Sequence, residues 1–401
     1  MSDLTDHAVV ACGPTRAGSA TYSQFPADAM KEIRHIVTAY QKIDFSKNKA
    51  ALATVARVEG SSYRRTGARM LVLDNGTYLG GISGGCLEGD ALRRAQKAIA
   101  ANQPSVVTYD TTRDDHNQIG VGLGCNGIID VLFTPLDASD PNNPVGLLSH
   151  RLHSRQPQLL STITGCAAHP EILGKTVPFE TPAQWQRDFP VQEIAETAMA
   201  DALHCLQQEK TRTLFYTTPS GEAIRVCMEV LLPATHLVLY GSNNDIYPMV
   251  RIGTELGWDL TVMANPLKVE KLLFASGTKV LNPKEGGVPE IDAHTAIVLM
   301  AHDYKTDLQN LQDILPSPAR YLGLLGPGKR AQKMFDALEV KGVIVSAQER
   351  ERIFAPAGLD IGALTPEEIA LSIVAEIRAC FAGRKGASLR LREVSIHEEI
   401  S

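Results

Sequence analysis

His236-Leu237-Val238-Leu239-Tyr240-Gly241, followed by the helical stretch Ile246–Leu256 and the apolar run Leu260–Met263, decides the fold. A short apolar run, a glycine turn, an amphipathic helix and a second apolar run describe a βαβ unit. Its strands are parallel and its crossover right-handed. The rhythm repeats downstream. Thr295–Met300 reads as a strand, Asp307–Ile314 as a helix, Tyr321–Leu325 as a strand and Lys329–Leu338 as a helix. In Thr365-Pro366-Glu367-Glu368 a threonine caps the last helix, proline takes its first position and two acids fill its first turn. The expectation is a Rossmann-like parallel-sheet domain over 236–385, with a tail at 386–401.

Working upstream, the chain changes character. Residues 1–28 are polar and aperiodic, which suits a flexible leader. A helix is expected near Ala27–Lys42, and strands at Ala51–Val58, Met70–Leu73 and Tyr78–Ile82. A helix at Leu87–Ala101 follows, with Leu87, Ala91, Leu92, Ala95, Ala98 and Ile99 on one face. Strands follow at Ser105–Tyr109 and Gly127–Phe133. Pro135–Pro144 (PLDASDPNNP) reads as a linker or long surface loop. Beyond it a helix is expected near Glu193–Glu209 and a strand near Ile224–Leu231. The fold class is therefore α/β. An N-terminal α/β domain at 29–235, with a linker or insertion near 135–190, precedes the Rossmann-like C-terminal domain.

Composition narrows the function. The 401 residues are 44% hydrophobic and 21% charged, an ordinary globular balance. Thirty-nine bases against 45 acids give a net charge of −6, which argues against a general nucleic-acid binder. No apolar run approaches the length of a membrane span. The seven cysteines are odd in number, widely spaced and without a CxxC pair, so neither a disulfide framework nor a zinc ribbon is expected. A reducing cytoplasm is the expected compartment.

Chemistry concentrates in three places. Gly80-Gly81-Ile82-Ser83-Gly84-Gly85-Cys86-Leu87-Glu88-Gly89 packs five glycines into a strand-to-helix junction. Glycine lets amides approach a ligand, and a helix start favours anions. A thiol there suits soft metals or sulfur. Just upstream, Arg57, Arg64, Arg65 and Arg69 flank Gly60-Ser61-Ser62-Tyr63, a cluster suited to phosphate or carboxylate. A second glycine loop, Gly120-Val121-Gly122-Leu123-Gly124-Cys125-Asn126-Gly127, carries a second thiol. Convergence of Cys86 and Cys125 would make a two-thiol metal site.

The turn Gly241-Ser242-Asn243-Asn244-Asp245 stands where a dinucleotide fingerprint belongs but does not match it, and no acid closes the second strand at Met263-Ala264-Asn265. His302 and Asp303, and the Gly326-Pro327-Gly328-Lys329-Arg330 segment, sit at later strand ends, where open parallel sheets gather ligands.

Val58 to Met70, Gly80 to Asp90, Gly122 to Gly127, Tyr321 to Gly326 and Pro356 to Ala370 together resemble the XdhC/CoxI family, over about residues 45–135 and 230–382. The resemblance implies a maturation factor for molybdenum hydroxylases of the xanthine or CO dehydrogenase type. Such a protein binds molybdenum cofactor transiently, assists its sulfuration and inserts it into an apo-hydroxylase. It acts as a chaperone, with no catalytic residues of its own. A cysteine desulfurase as second partner completes that expectation. The helix at Glu367–Phe381 carries apolar Ile369, Leu371, Ile373, Val374, Ile377 and Phe381 on more than one face, so it is either deeply buried or a homodimer surface. Cofactor contacts would fall to Arg57, Ser61, Ser62, Arg64, Arg65, Arg69, Ser83, Gly84, Gly85, Cys86, Glu88, Gly124, Cys125, Gly241, His302, Asp303 and Gly326, with Cys86 and Cys125 facing the metal. One departure stands out. Where the family reads Gly-Ala-Gly-His-Val-Ala, this chain has Gly241-Ser242-Asn243-Asn244-Asp245-Ile246. The competing reading is an oxidoreductase that binds NAD(P) or another nucleotide in the Rossmann-like domain.

Overall fold

The computed structural model describes residues 21–23, 29–112 and 127–392. These form two compact units whose main division falls between Leu232 and Pro233, the second unit also taking the start of the first helix up to Lys31.

The first unit holds two five-stranded antiparallel sheets. Its elements are β1 (Thr21–Ser23), α1 (Ala29–Tyr40), β2 (Ala50–Gly60), β3 (Arg69–Leu73), β4 (Tyr78–Gly80), α2 (Glu88–Ala101), β5 (Ser105–Asp110) and β6 (Gly127–Leu136). There follow α3 (Pro144–Ser149), β7 (Gln158–Cys166), β8 (Thr176–Pro178), α4 (Pro182–Asp188), α5 (Ala195–Gln207), β9 (Thr211–Thr217) and β10 (Ala223–Leu231). The first sheet runs β4-β3-β2-β6-β5, the second β1-β9-β10-β7-β8.

Each sheet buries one face under helices. Ala91, Ala95, Ala98 and Ile99 of α2 pack on Ala51, Ala53, Val55, Met70 and Phe133 of the first sheet. The small residues of β2 and α2 let helix and sheet approach closely. On the second sheet, Ala195, Ala198, Ala202 and Cys205 recur at helical spacing along α5, and with Trp185 and Phe189 they cover Leu159, Leu214, Val226 and Met228.

Polar groups, by contrast, join the two sheets. Arg69 of β3 donates to both carboxylate oxygens of Glu229 on β10 at 2.6 Å, with both residues buried. The fully buried Asp130 of β6 receives Arg57 of β2 at 2.9 Å and Arg225 of β10 at 2.6 Å. The Thr213 hydroxyl donates to the Ala56 carbonyl at 2.6 Å, where β2 bulges against β6.

The expected linker or surface loop after β6 is short. Residues 137–142 are an exposed turn, and Asn143 then caps α3 by accepting from the Val145 amide.

The second unit is a doubly wound parallel sheet, as the alternating pattern predicts. Its strands are β11 (His236–Tyr240), β12 (Asp259–Met263), β13 (Lys279–Leu281), β14 (Thr295–Leu299), β15 (Tyr321–Leu324) and β16 (Ile353–Phe354), in the order β13-β12-β11-β14-β15-β16. Every strand pairing is parallel. Its helices are α6 (Ile246–Glu255), α7 (Leu272–Ala275), α8 (Tyr304–Ile314), α9 (Gly328–Val340), α10 (Ala347–Glu351) and α11 (Pro366–Phe381). One sheet face, with Leu237, Leu239 and Val298, packs against α6 and α11. The other, with Val238, Ile297, Leu299 and Leu322, packs against α8 and α9. Burial on both faces explains why these strands read as unbroken apolar runs.

Helix α11 starts as its sequence predicts, with Thr365 and Glu368 forming a reciprocal capping box. Packing accounts for most of its apolar girth. Ala370, Ile373, Val374 and Ile377 enter the core, and Leu371 stays exposed.

Candidate functional site

The glycine loop between β4 and α2 forms through its own side chains. Gly80 takes φ +83, and a Cβ there would strike the Arg69 carbonyl oxygen, so the loop can leave β4 only through glycine. The chain then folds around Ser83. Its hydroxyl accepts from the amides of Gly85 at 3.2 Å, Cys86 at 3.1 Å and Leu87 at 3.0 Å, and donates to Glu88 at 2.5 Å. The Ser83 amide donates to the same carboxylate at 2.9 Å. Burial pushes the Glu88 carboxyl up. The Ser83 bonds and the backbone of the helix start outweigh it and hold the group below the usual carboxylate range.

This geometry gives two of the expected contact residues an internal role. Ser83 and Glu88 are loop-forming, and the amides at 85–87 already have a partner. An anion at this helix start therefore meets no vacant amides from those three positions. What the loop does present is Gly84, Gly85 and Cys86, all exposed, with the Cys86 sulfur 3.4 Å from the Ser83 hydroxyl.

The turn between β2 and β3 abuts this loop. A Cβ at position 84 would lie 3.3 Å from the Tyr63 ring, so the exposed Tyr63 lies across Gly84. Ser61 is exposed and Ser62 buried. The four arginines separate into two kinds. Arg57 is held by Glu59 and Asp130, and Arg69 by Glu229 and the Gly67 carbonyl. Both guanidinium groups are committed internally, so the expectation that they would hold an anion gives way to a structural role. Arg64 pairs with Glu32 of α1, which also accepts from the Arg69 amide at 2.8 Å. Arg65 is different. It is half-buried, and its Nε and Nη2 are buried with no hydrogen-bond partner. Burial lowers its pKa with no opposing carboxylate, yet a guanidinium keeps its proton in proteins. A desolvated cation without a counter-charge among the described residues is what an incoming anion would complete.

Gly124 and Cys125 lie outside the described residues, and with them the convergence of the two thiols. Among the described residues, no three His, Cys, Asp or Glu side chains converge as a metal site.

In the second unit the expected residues sit at the carboxyl ends of three adjacent strands. A Cβ on Gly241 would come within 2.6 Å of the Met300 carbonyl oxygen, so glycine there is a packing requirement between the ends of β11 and β14. This close approach brings His302 to Asp245, with Nε2 and Oδ2 2.5 Å apart. His302 holds a left-handed φ of +58, strained for a non-glycine residue. Asp303 faces elsewhere: it caps α8, accepting from the Thr306 hydroxyl and amide, and the hydroxyl chiefly keeps it below the usual carboxylate range. Beyond Gly326, Arg330 is bound to the buried Asp307 at 2.8 Å and to the Leu325 carbonyl.

Asp245 puts a carboxylate at the start of α6, where the dinucleotide fingerprint offers amides to a diphosphate. That charge opposes an anion there. Sequence reasoning misses Asp245, Glu32 and Tyr63 as site residues. The acid inside a glycine turn and the aromatic inside the arginine motif are available signals, whereas Glu32 has none, lying 32 residues from its partner Arg64.

A unit of stacked antiparallel sheets with a thiol-bearing glycine loop, joined in sequence to a Rossmann-like unit, defines a two-module α/β protein. The chain belongs to the XdhC and CoxI family. A family model described as "XdhC and CoxI family" matches residues 46–110, and one described as "XdhC Rossmann domain" matches 237–377. From Bacillus subtilis, a probable xanthine dehydrogenase subunit is 28% identical over 82% of this chain and 93% of its own length. The molybdenum cofactor insertion chaperone PaoD from Escherichia coli is 24% identical over 82% of each chain. A crystal structure of a xanthine dehydrogenase from Bacillus halodurans superposes with a TM-score of 0.65 at 25% identity, over 89% of this chain and 96% of that one.

Proposed function

We propose that this protein is a molybdenum cofactor insertion chaperone. It binds the cofactor as cargo, supports its sulfuration and delivers it to an apo-hydroxylase of the xanthine or CO dehydrogenase type. The observation that carries the reading is an exposed Cys86 thiol on the glycine loop and, on the turn whose Tyr63 abuts that loop, Arg65 with Nε and Nη2 unpartnered among the described residues. Molybdopterin joins a phosphate to a soft dithiolene–metal centre, and this surface offers a cation for the one and a thiol for the other. The likeness to PaoD and to the Bacillus subtilis protein supports the same reading. In it, Arg64, Ser61, Gly84 and Gly85 shape the site, Cys125 adds a second thiol, and a cysteine desulfurase supplies sulfur. The chaperone is cytoplasmic and works as a homodimer, for which the exposed Ile361, Leu364 and Leu371 are available. Among the described residues no helix is long and apolar enough to cross a membrane.

The test is cofactor binding by the purified protein, with bound pterin identified by mass spectrometry. Cys86→Ala, and Arg64→Ala combined with Arg65→Ala, should each weaken binding by about tenfold or more, the worth of a hydrogen bond to a charged group, while circular dichroism stays unchanged. Wild-type affinity in both variants would remove the site. Tight NAD(P) binding with no affinity for molybdopterin would favour the oxidoreductase instead.

A further inference from the structure

On the second sheet, β7, β9 and β10 line an open cavity of about 610 Å3 together with Glu59 at the end of β2. Its walls include Cys166, Phe215, Ile224 and Arg225. The volume falls in the range of small-molecule sites, and the walls are mainly apolar with a few fixed polar groups. The charges here are already balanced. Arg225 donates to Asp130 at 2.6 Å and to the Thr164 carbonyl at 2.9 Å, and Arg57 is shared between Asp130 and Glu59. Phosphate therefore gains little in this cavity. Two flat groups border it. The Arg225 guanidinium lies across Gly165, where a Cβ would come 3.2 Å from Nε. The Phe215 ring carries the Arg57 guanidinium 5.5 Å from its centroid. Among the described residues Glu59 keeps a side-chain acceptor open. Oε1 of Glu59 takes both bonds from Arg57, at 2.9 and 2.5 Å, which fixes the carboxylate and leaves Oε2 for another donor.

Flat walls and a fixed carboxylate oxygen select a planar heteroaromatic ring with an N–H edge. We propose that this cavity receives the pterin ring of the cofactor, with Glu59 accepting from its N–H edge and Cys166 lining its floor. The assignment rests on the chaperone reading. Glu59 lies six residues before Arg65, at most about 20 Å of extended chain, so ring and phosphate can be held from one strand exit.

Cys166 supplies the readout, because it is a free, half-buried thiol in the wall. Full-length protein is alkylated with N-ethylmaleimide, with and without molybdopterin, and each cysteine is followed by peptide mass spectrometry. Molybdopterin at ten times its Kd should slow Cys166 alkylation about tenfold. Ala167→Trp, at an exposed bend in the cavity wall, should abolish that protection. Glu59→Gln, which keeps the shape, should weaken molybdopterin binding about tenfold. If molybdopterin binds and protects Cys86 while Cys166 reacts at its unliganded rate, the cavity assignment falls and the chaperone reading stands. Wild-type affinity and wild-type protection in Ala167→Trp overturn the cavity as well. If the wild type binds no molybdopterin at all, both fall.

Discussion

Arg65 and Glu88 show how differently two charged residues of one surface are treated. Glu88 is satisfied twice by Ser83, whereas Arg65 buries two nitrogens with no partner. Arg65→Met is therefore expected to leave the ligand-free protein as stable as the wild type or more so, because it removes an uncompensated desolvation cost. A lower thermal midpoint for that variant would show that the guanidinium is paired in solution. For Glu88 the folded pKa lies below the unfolded one. Its contribution is fully present above the ordinary carboxylate range and is lost as pH falls through the lower folded value. Glu88→Gln should be less stable than wild type at neutral pH, and the gap should close on acidification. Urea midpoints measured across that range check the sign; a gap that widens would contradict it. At this scale the sequence shows which residues are chemically active but not which are occupied. Arg57 and Arg69 read as free cations because Asp130 and Glu229 lie 73 and 160 positions away, and only Arg57 has a second carboxylate close in sequence, Glu59.

Among the elements, long periodic segments are the legible ones. The expected helices near Glu193–Glu209 and Lys329–Leu338 and the main strands of the parallel sheet differ from the structure by a few residues at their ends. The segments β1, β7, β8, β9, β13 and β16 escape sequence reading. Four of these are edge pieces of two or three residues, and β7 and β9 mix hydroxyl side chains with apolar residues, so their identity depends on pairing with β10. The antiparallel character of the first unit is hidden for the same reason, since strand direction is set by non-local partners. The Arg69–Glu229 pair fastens β3 to β10, and its energetics follow from burial. Arg69→Met should cost about 3–5 kcal/mol by stranding a buried carboxylate, and Arg69→Met with Glu229→Leu should recover most of it. Additive losses in urea denaturation would instead mean that the two side chains act independently.

For the molecule as a whole, the proposed homodimer predicts light scattering at about twice the 43.4 kDa chain mass. A species at the mass of one chain would reject it. The broad apolar girth of α11, which read from sequence means either deep burial or a dimer surface, is largely explained by the core of the second unit, leaving Leu371 exposed on the helix and Leu364 and Ile361 exposed before it. Leu371→Glu should therefore shift any dimer towards monomer without unfolding it.

The Ser83 hub has a consequence for transport. A courier must relinquish its load, and a nest of bare amides would clutch a phosphate too firmly. Because the serine hydroxyl already saturates those amides, departure of the proposed cargo would strand none of the three, and the donors it would leave open are those of Arg65. Under the proposed function, handover to a tighter-binding recipient would not require those three amides to find new partners.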